Sequence, residues 1–191
     1  MSFFDDVKNA GKVLLLVALL SIILTVLVVF AFDDYKDADM WKKIVMIVGS
    51  IVGALIYAVL GLDIINGKCR VQMGNLFSDV GSKFGVLVAM TAVFGISEIV
   101  SSIFSIIAFG GAGEIGQIVV GVLFILMAYL LAGDSADARK VVWIILLILY
   151  IIMLIFSILA ALVLIGIPVL LLSIFLVTFM LSPEVKEKCG M

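Results

Sequence analysis

The sequence predicts an all-α integral membrane protein with six transmembrane helices arranged as three helical hairpins. Three observations carry that reading. Long apolar runs recur from Val13 to Leu181, and the first, Val13–Phe32, holds no charge at all; one helical crossing needs about 20 mostly apolar residues. Hydrophobic residues make up 65% of the chain and the mean hydropathy is +1.42, against roughly 45–50% apolar in soluble domains. Finally, the basic residues are shared unequally between alternate connecting segments.

The first helix is expected over about 13–32. Its apolar run is too long for a secretory h-region, and Ala31-Phe32-Asp33 lacks a small-residue cleavage pattern, so it reads as retained. A short acidic loop follows, with Asp33, Asp34, Asp37 and Asp39. Its spacing lacks the central glycine and terminal glutamate of an EF-hand, so it reads as solvated. The second helix, about 41–62, opens at Trp41, whose indole suits the headgroup interface.

Asp63 to Lys83 is the longest polar stretch. Within it Met73, Phe77, Val80 and Phe84 recur at steps of three and four, which suits a segment along the membrane surface, with a solvated loop as the alternative. A third helix covers about 84–109 and is interrupted by polar residues, including Glu98. Gly110-Gly111-Ala112-Gly113 turns the chain into a fourth over about 114–131.

Val141 to Leu181 carries no charge. As one helix it would be roughly 60 Å long, twice the hydrocarbon thickness. Gly166-Ile167-Pro168 supplies a break, because proline lacks an amide hydrogen and disfavours helix at the preceding residue. Two antiparallel helices, 141–164 and 167–181, are expected. Residues 1–191 then form a single polytopic membrane domain with no separate water-soluble unit.

Charge sets the orientation. With both termini on one side, that side holds Lys8, Lys12, Lys68, Arg70, Lys83, Arg139, Lys140, Lys186 and Lys188, and the other holds Lys36, Lys42 and Lys43. A five-helix arrangement would move Lys186 and Lys188 across and weaken this bias. The positive-inside rule therefore places both termini in the cytoplasm of a multi-pass cell-membrane protein. Cys69 and Cys189 would face a reducing compartment, and neither has a partner at metal-type spacing.

Glu98 is the one ionisable residue well inside a predicted span. A carboxylate in hydrocarbon is expensive, about 2.5–3.5 kcal/mol for an aspartate by insertion scales, and such residues often mark an ion or proton path. Ser101, Ser102 and Ser105 follow at three, four and seven residues, on the same helix face, so their hydroxyls could ligate a cation or relay a proton. The alternative is a protonated carboxyl hydrogen-bonded to a neighbouring helix as structural glue. Gly49 and Gly53, and the row containing Ser97, Ser101 and Ser105, have the four-residue spacing that lets helices approach closely. Such rows admit a second copy of the chain or another membrane protein as partner, besides the bilayer itself.

Gly111-Ala112-Gly113-Glu114-Ile115-Gly116 fits the letters of a dinucleotide fingerprint. That mechanism needs a preceding strand, which two membrane helices do not offer. A plain turn is expected there, with a re-entrant loop carrying Glu114 and Gln117 towards Glu98 as the alternative. The chain has no histidine, no paired carboxylates at helical spacing and no nucleophile–base arrangement, so no enzyme, metal, cofactor or nucleic-acid role is expected. The reading favoured by sequence is a non-enzymatic scaffold or accessory subunit, followed by a small transporter or channel for a proton, cation or small solute at Glu98.

Overall fold

The computed structural model describes residues 3–32, 35, 37–70, 74–111, 113–162, 164 and 166–191. Among these the chain is helical, with no strand. Helix α1 spans Val7–Ala31, α2 Met40–Asn66, α3 Lys83–Phe109, α4 Gly113–Ala132, α5 Ala136–Ala161, α6 Ile167–Met180 and α7 Pro183–Lys188. Within the described residues, α1 to α5 are long and apolar enough to cross a membrane; α6 is apolar but has 14 residues.

Capping chemistry moves several boundaries from where hydropathy put them. Asp6 accepts the Lys8 N–H at 2.7 Å and starts α1 at Val7, ahead of the apolar run. Likewise Ser135 accepts the Ala138 N–H at 3.3 Å and starts α5 at Ala136. Helix α2 does not stop near residue 62 but runs on to Asn66, where Gly67 takes the left-handed conformation (φ 64°) that closes many helices. Asp63 is therefore a helical residue rather than the start of a loop. Helix α5 ends at Ala161, short of the expected 164, and α7 has no counterpart in the hydropathy pattern.

Helices adjacent in sequence pack on one another throughout, and α6 returns to α1, closing a ring. A contact of α3 with α6 crosses the middle, so two four-helix halves share these two helices. Both central helices are densely buried: Val86 to Val93 on α3, and Leu172, Phe175, Leu176 and Phe179 on α6.

Two pairs of glycines set the closest crossings. A Cβ on Gly11 would fall 2.7 Å from the carbonyl oxygen of Gly61, and one on Gly95 would fall 2.5 Å from that of Gly121. Backbone thus meets backbone between α1 and α2 and between α3 and α4, which suits lipid, where hydrophobicity cannot drive helices together. Gly110 (φ 65°) ends α3, and α4 begins at Gly113, so Glu114 and Gln117 ride on a continuous helix rather than a re-entrant loop.

The polar stretch after α2 folds onto the bundle. Phe77 and Val80 of the helical stripe are buried, while Met73 lies outside the described residues. Burial pushes the Asp79 carboxyl up, but hydrogen bonds from Ser82 Oγ and the Gly81 and Ser82 N–H groups, with the nearby Lys188 charge, hold it below the ordinary carboxylate value. Lys83 pairs with Asp5, and Glu184 accepts the Phe84 N–H at 3.2 Å. The N-terminal segment, the start of α3 and α7 therefore meet at one end of the bundle.

Gly95→Val should lower stability by about 1–3 kcal/mol, the usual range for overpacking. Gly116→Ala, whose Cβ meets nothing within 4 Å, should stay within about 0.5 kcal/mol of wild type. Thermal unfolding in detergent checks both; equal melting temperatures would refute the close crossing.

Candidate functional site

Glu98 lies well along α3, about 22 Å from Lys83 and about 16 Å from Phe109 at 1.5 Å per residue. It borders a cavity of about 290 Å³ between α1, α2, α3 and α6. Ser21 and Thr25 from α1, Ser50 and Tyr57 from α2, and Ser97 and Ser101 from α3 supply hydroxyls to the same wall. Among the described residues, no hydrogen bond or ion pair reaches the Glu98 carboxylate.

The serines grouped with Glu98 by sequence divide between two interfaces. Ser101 is exposed and lines the cavity, as does buried Ser97. Ser102 faces α4 instead: its Oγ donates to the Glu98 carbonyl oxygen at 2.8 Å and lies 3.2 Å from Gln117 Oε1. Ser105 likewise donates to Glu114 Oε1 at 3.3 Å. The structure thus brings Glu98 and Ser101 together at the cavity and sets Ser102 and Ser105 between α3 and α4. Gly49 and Gly53 form the α2 side of the α2–α3 contact; a Cβ on Gly49 would strike Phe104 at 2.6 Å, and one on Gly53 would meet Ser97 Oγ at 3.3 Å.

Sequence reasoning missed the contribution of α1 and α2. Thr25 Oγ1 lies 2.8 Å from the Ser21 carbonyl oxygen and 2.9 Å from Ser50 Oγ, which donates to that same carbonyl at 3.2 Å. The available signal was Ser21 and Thr25 at i, i+4 in an otherwise apolar helix, which places both hydroxyls on one face. A neighbouring cavity of about 250 Å³ shares Ser21, Thr25, Met46 and Pro168 with the first and extends to Tyr35 in the α1–α2 connection. Towards the termini, by contrast, buried Leu14, Leu60, Leu87, Met90 and Leu176 fill the bundle.

Thr91 Oγ1 and the Tyr150 hydroxyl sit 2.6 Å apart, fully buried, and the Phe124 ring packs between Phe94 and Tyr150 at centroid distances of 4.9 and 6.2 Å.

Chemically, the Glu98 wall offers one carboxylate and several neutral oxygens. Such oxygen donors suit a proton or a hard cation, and not a soft metal. Among the described residues no group of three His, Cys, Asp or Glu could hold a metal ion. Searched against family models, curated proteins and solved structures, the chain matches none.

In a background with Cys69 and Cys189 replaced by serine, Ser101→Cys should react with a charged methanethiosulfonate about tenfold or more faster than Ser102→Cys. Only a hydrated thiol ionises readily to the reactive thiolate. Equal rates would mean that the cavity is closed to water.

Proposed function

We propose that this chain is a six-span protein of the cell membrane, with both termini cytoplasmic, that carries a proton or a small cation through the cavity at Glu98. The observation that carries the functional reading is the carboxylate of Glu98 on a hydroxyl-lined cavity inside the bundle. Holding an ionisable group unpaired at that depth costs several kcal/mol, and a bound cation or proton removes most of that cost. The same observation moves the balance from scaffold to transport. Scaffold keeps its support in α4 and α5, whose outward faces are apolar, from Val119, Leu123 and Leu126 to Ile148, Ile152 and Ile155.

The sixth crossing has support in the contacts of α6. Trp143 Nε1 donates to the Met180 carbonyl oxygen at 3.0 Å, and Ser157 Oγ lies 3.3 Å from Ser173 Oγ. These contacts support an α6 that runs antiparallel along α5, as a third hairpin after α1–α2 and α3–α4. Shortness then means an upright helix, since 14 residues give about 21 Å. The cytoplasmic assignment rests on the excess of lysine and arginine at the end where the termini meet.

Flux measured in reconstituted vesicles tests the function. Wild type should pass protons or an alkali cation above the level of empty vesicles, and Glu98→Gln should lose at least about tenfold of that flux, roughly 1.4 kcal/mol, while keeping its melting temperature. Equal flux through wild type and Glu98→Gln, or none through either, would leave the scaffold reading standing and overturn transport.

Orientation is checked with the native thiols. Cys69 is half-buried and Cys189 fully buried, with burial pushing the Cys189 thiol up to about 11. A membrane-impermeant maleimide should therefore label Cys69 only after cells are opened, and Cys189 more slowly still. Labelling of Cys69 in intact cells would reverse the topology.

A further inference from the structure

The Glu98 cavity is far larger than a proton or a bare ion requires. It offers about 290 Å³, whereas a single water needs only about 10–15 Å³ of such space. That volume lies close to the lower end for small-molecule sites, about 300 Å³. Concave sites of this kind combine a mostly apolar wall with a few polar groups that fix orientation.

The wall selects the sign of charge. Among the described residues Glu98 is the one charged side chain on it, and no lysine or arginine lines it. A single carboxylate at that depth favours one monovalent cation and repels an anion.

The remaining wall favours carbon around that charge. The rings of Tyr57, Phe94 and Phe104 line the cavity beside Val17, Ala54 and Leu172. Phe94 precedes Glu98 by four residues on α3, which sets the two on one helix face with Cβ atoms about 5–6 Å apart. A cation held by the carboxylate therefore stands within reach of an aromatic ring, and rings attract ligand cations within about 6 Å. The hydroxyls, by contrast, are strung out. Ser50 and Tyr57 are seven residues apart on α2, about 10 Å, so an extended ion touches more of them than a point ion does.

We propose that the Glu98 cavity binds a monovalent organic ammonium ion, its charge on the Glu98 carboxylate and its carbon groups against Tyr57, Phe94 and Phe104. This rests on the transport reading in one respect, that Glu98 takes up a proton or a cation. The organic ion is a further occupant that competes with the proton for the same carboxylate.

The test is equilibrium dialysis of radiolabelled tetraethylammonium against the detergent-solubilised full chain. Wild type should bind one ion, and Glu98→Gln should weaken binding at least about tenfold, equivalent to 1.4 kcal/mol. Phe94→Leu and Phe104→Leu, which keep an apolar wall, should each weaken it about threefold or more through the lost ring. Potassium in roughly hundredfold excess should leave most of the label bound. Unchanged affinity in Glu98→Gln, or in both phenylalanine variants, overturns the proposal, as does displacement by an equal concentration of potassium. Proton flux that needs Glu98 without any tetraethylammonium binding overturns this inference alone. Binding that needs Glu98 without any flux supports it and overturns transport alone.

Discussion

Hydrocarbon offers no hydrogen bonds, and that constraint organises the polar chemistry of this bundle. Thr25, Thr91 and Ser102 each turn a hydroxyl back to the carbonyl four residues earlier, and Ser157 and Ser173 do so to the carbonyl three residues earlier. Each hydroxyl is thus satisfied by its own helix before any neighbour is involved. Cross-helix contacts such as Thr91 to Tyr150 or Thr25 to Ser50 then add specificity, at an average of about 0.6 kcal/mol per interhelical bond in membranes. Glu98 stands outside this scheme. An ionised carboxylate cannot be satisfied by a backbone carbonyl, which is an acceptor facing an acceptor; the proposed function meets that need with a proton or a cation.

Packing decides where that exception can exist. The α3–α6 contact divides the ring in two, and the half containing α4 and α5 is filled by Phe94, Phe124 and Tyr150. In the other half the cavity wall includes the small residues Ser21, Gly49, Ser50, Gly53, Ser97 and Ser101, beside Tyr57, Phe94 and Phe104. Small residues bring α2 and α3 together at Gly49 and Gly53, yet around Glu98 they leave space unfilled. The same residue class that packs helices in lipid therefore also hollows the site.

Much of the architecture was legible before the structure. Five of the expected spans fall on helices long and apolar enough to cross a membrane, and the sixth on the 14-residue α6, because exclusion of charge from hydrocarbon is a strong, local rule. Helix ends were less legible. They depend on single side chains such as Asp6, Ser135 and the left-handed Gly67, whose capping bonds no hydropathy window registers. Glu98 and Ser101 were legible from helical spacing, whereas the split of Ser102 and Ser105 towards α4 was not. Consecutive residues stand about 100° apart around a helix, enough for Ser101 to line the cavity while Ser102 meets Gln117 of α4, and Ser105 is reached by the Glu114 carboxylate. Asp63 was hidden for another reason: a charge beside an apolar run looks like a loop until Gly67 is recognised as the stop.

Exchange between the two sides of the membrane, which the proposed function requires, must open a path past Leu14, Leu60, Leu87 and Leu176. The energetics of α1 and α2 are lopsided in this respect. Near the termini the two helices meet backbone to backbone at Gly11 and Gly61, with Leu14 and Ile64 packed beside them. At the cavity they meet through the hydroxyls of Thr25 and Ser50, a bond of about 0.6 kcal/mol on the membrane average. Separating the pair at the glycine end forfeits close backbone contact, whereas separating it at the hydroxyl end forfeits two modest bonds, Thr25 to Ser50 and Ser50 to the Ser21 carbonyl. On the proposed function, a ligand arriving by the Tyr35 side would face the weaker closure, and the leucines near the termini the stronger one.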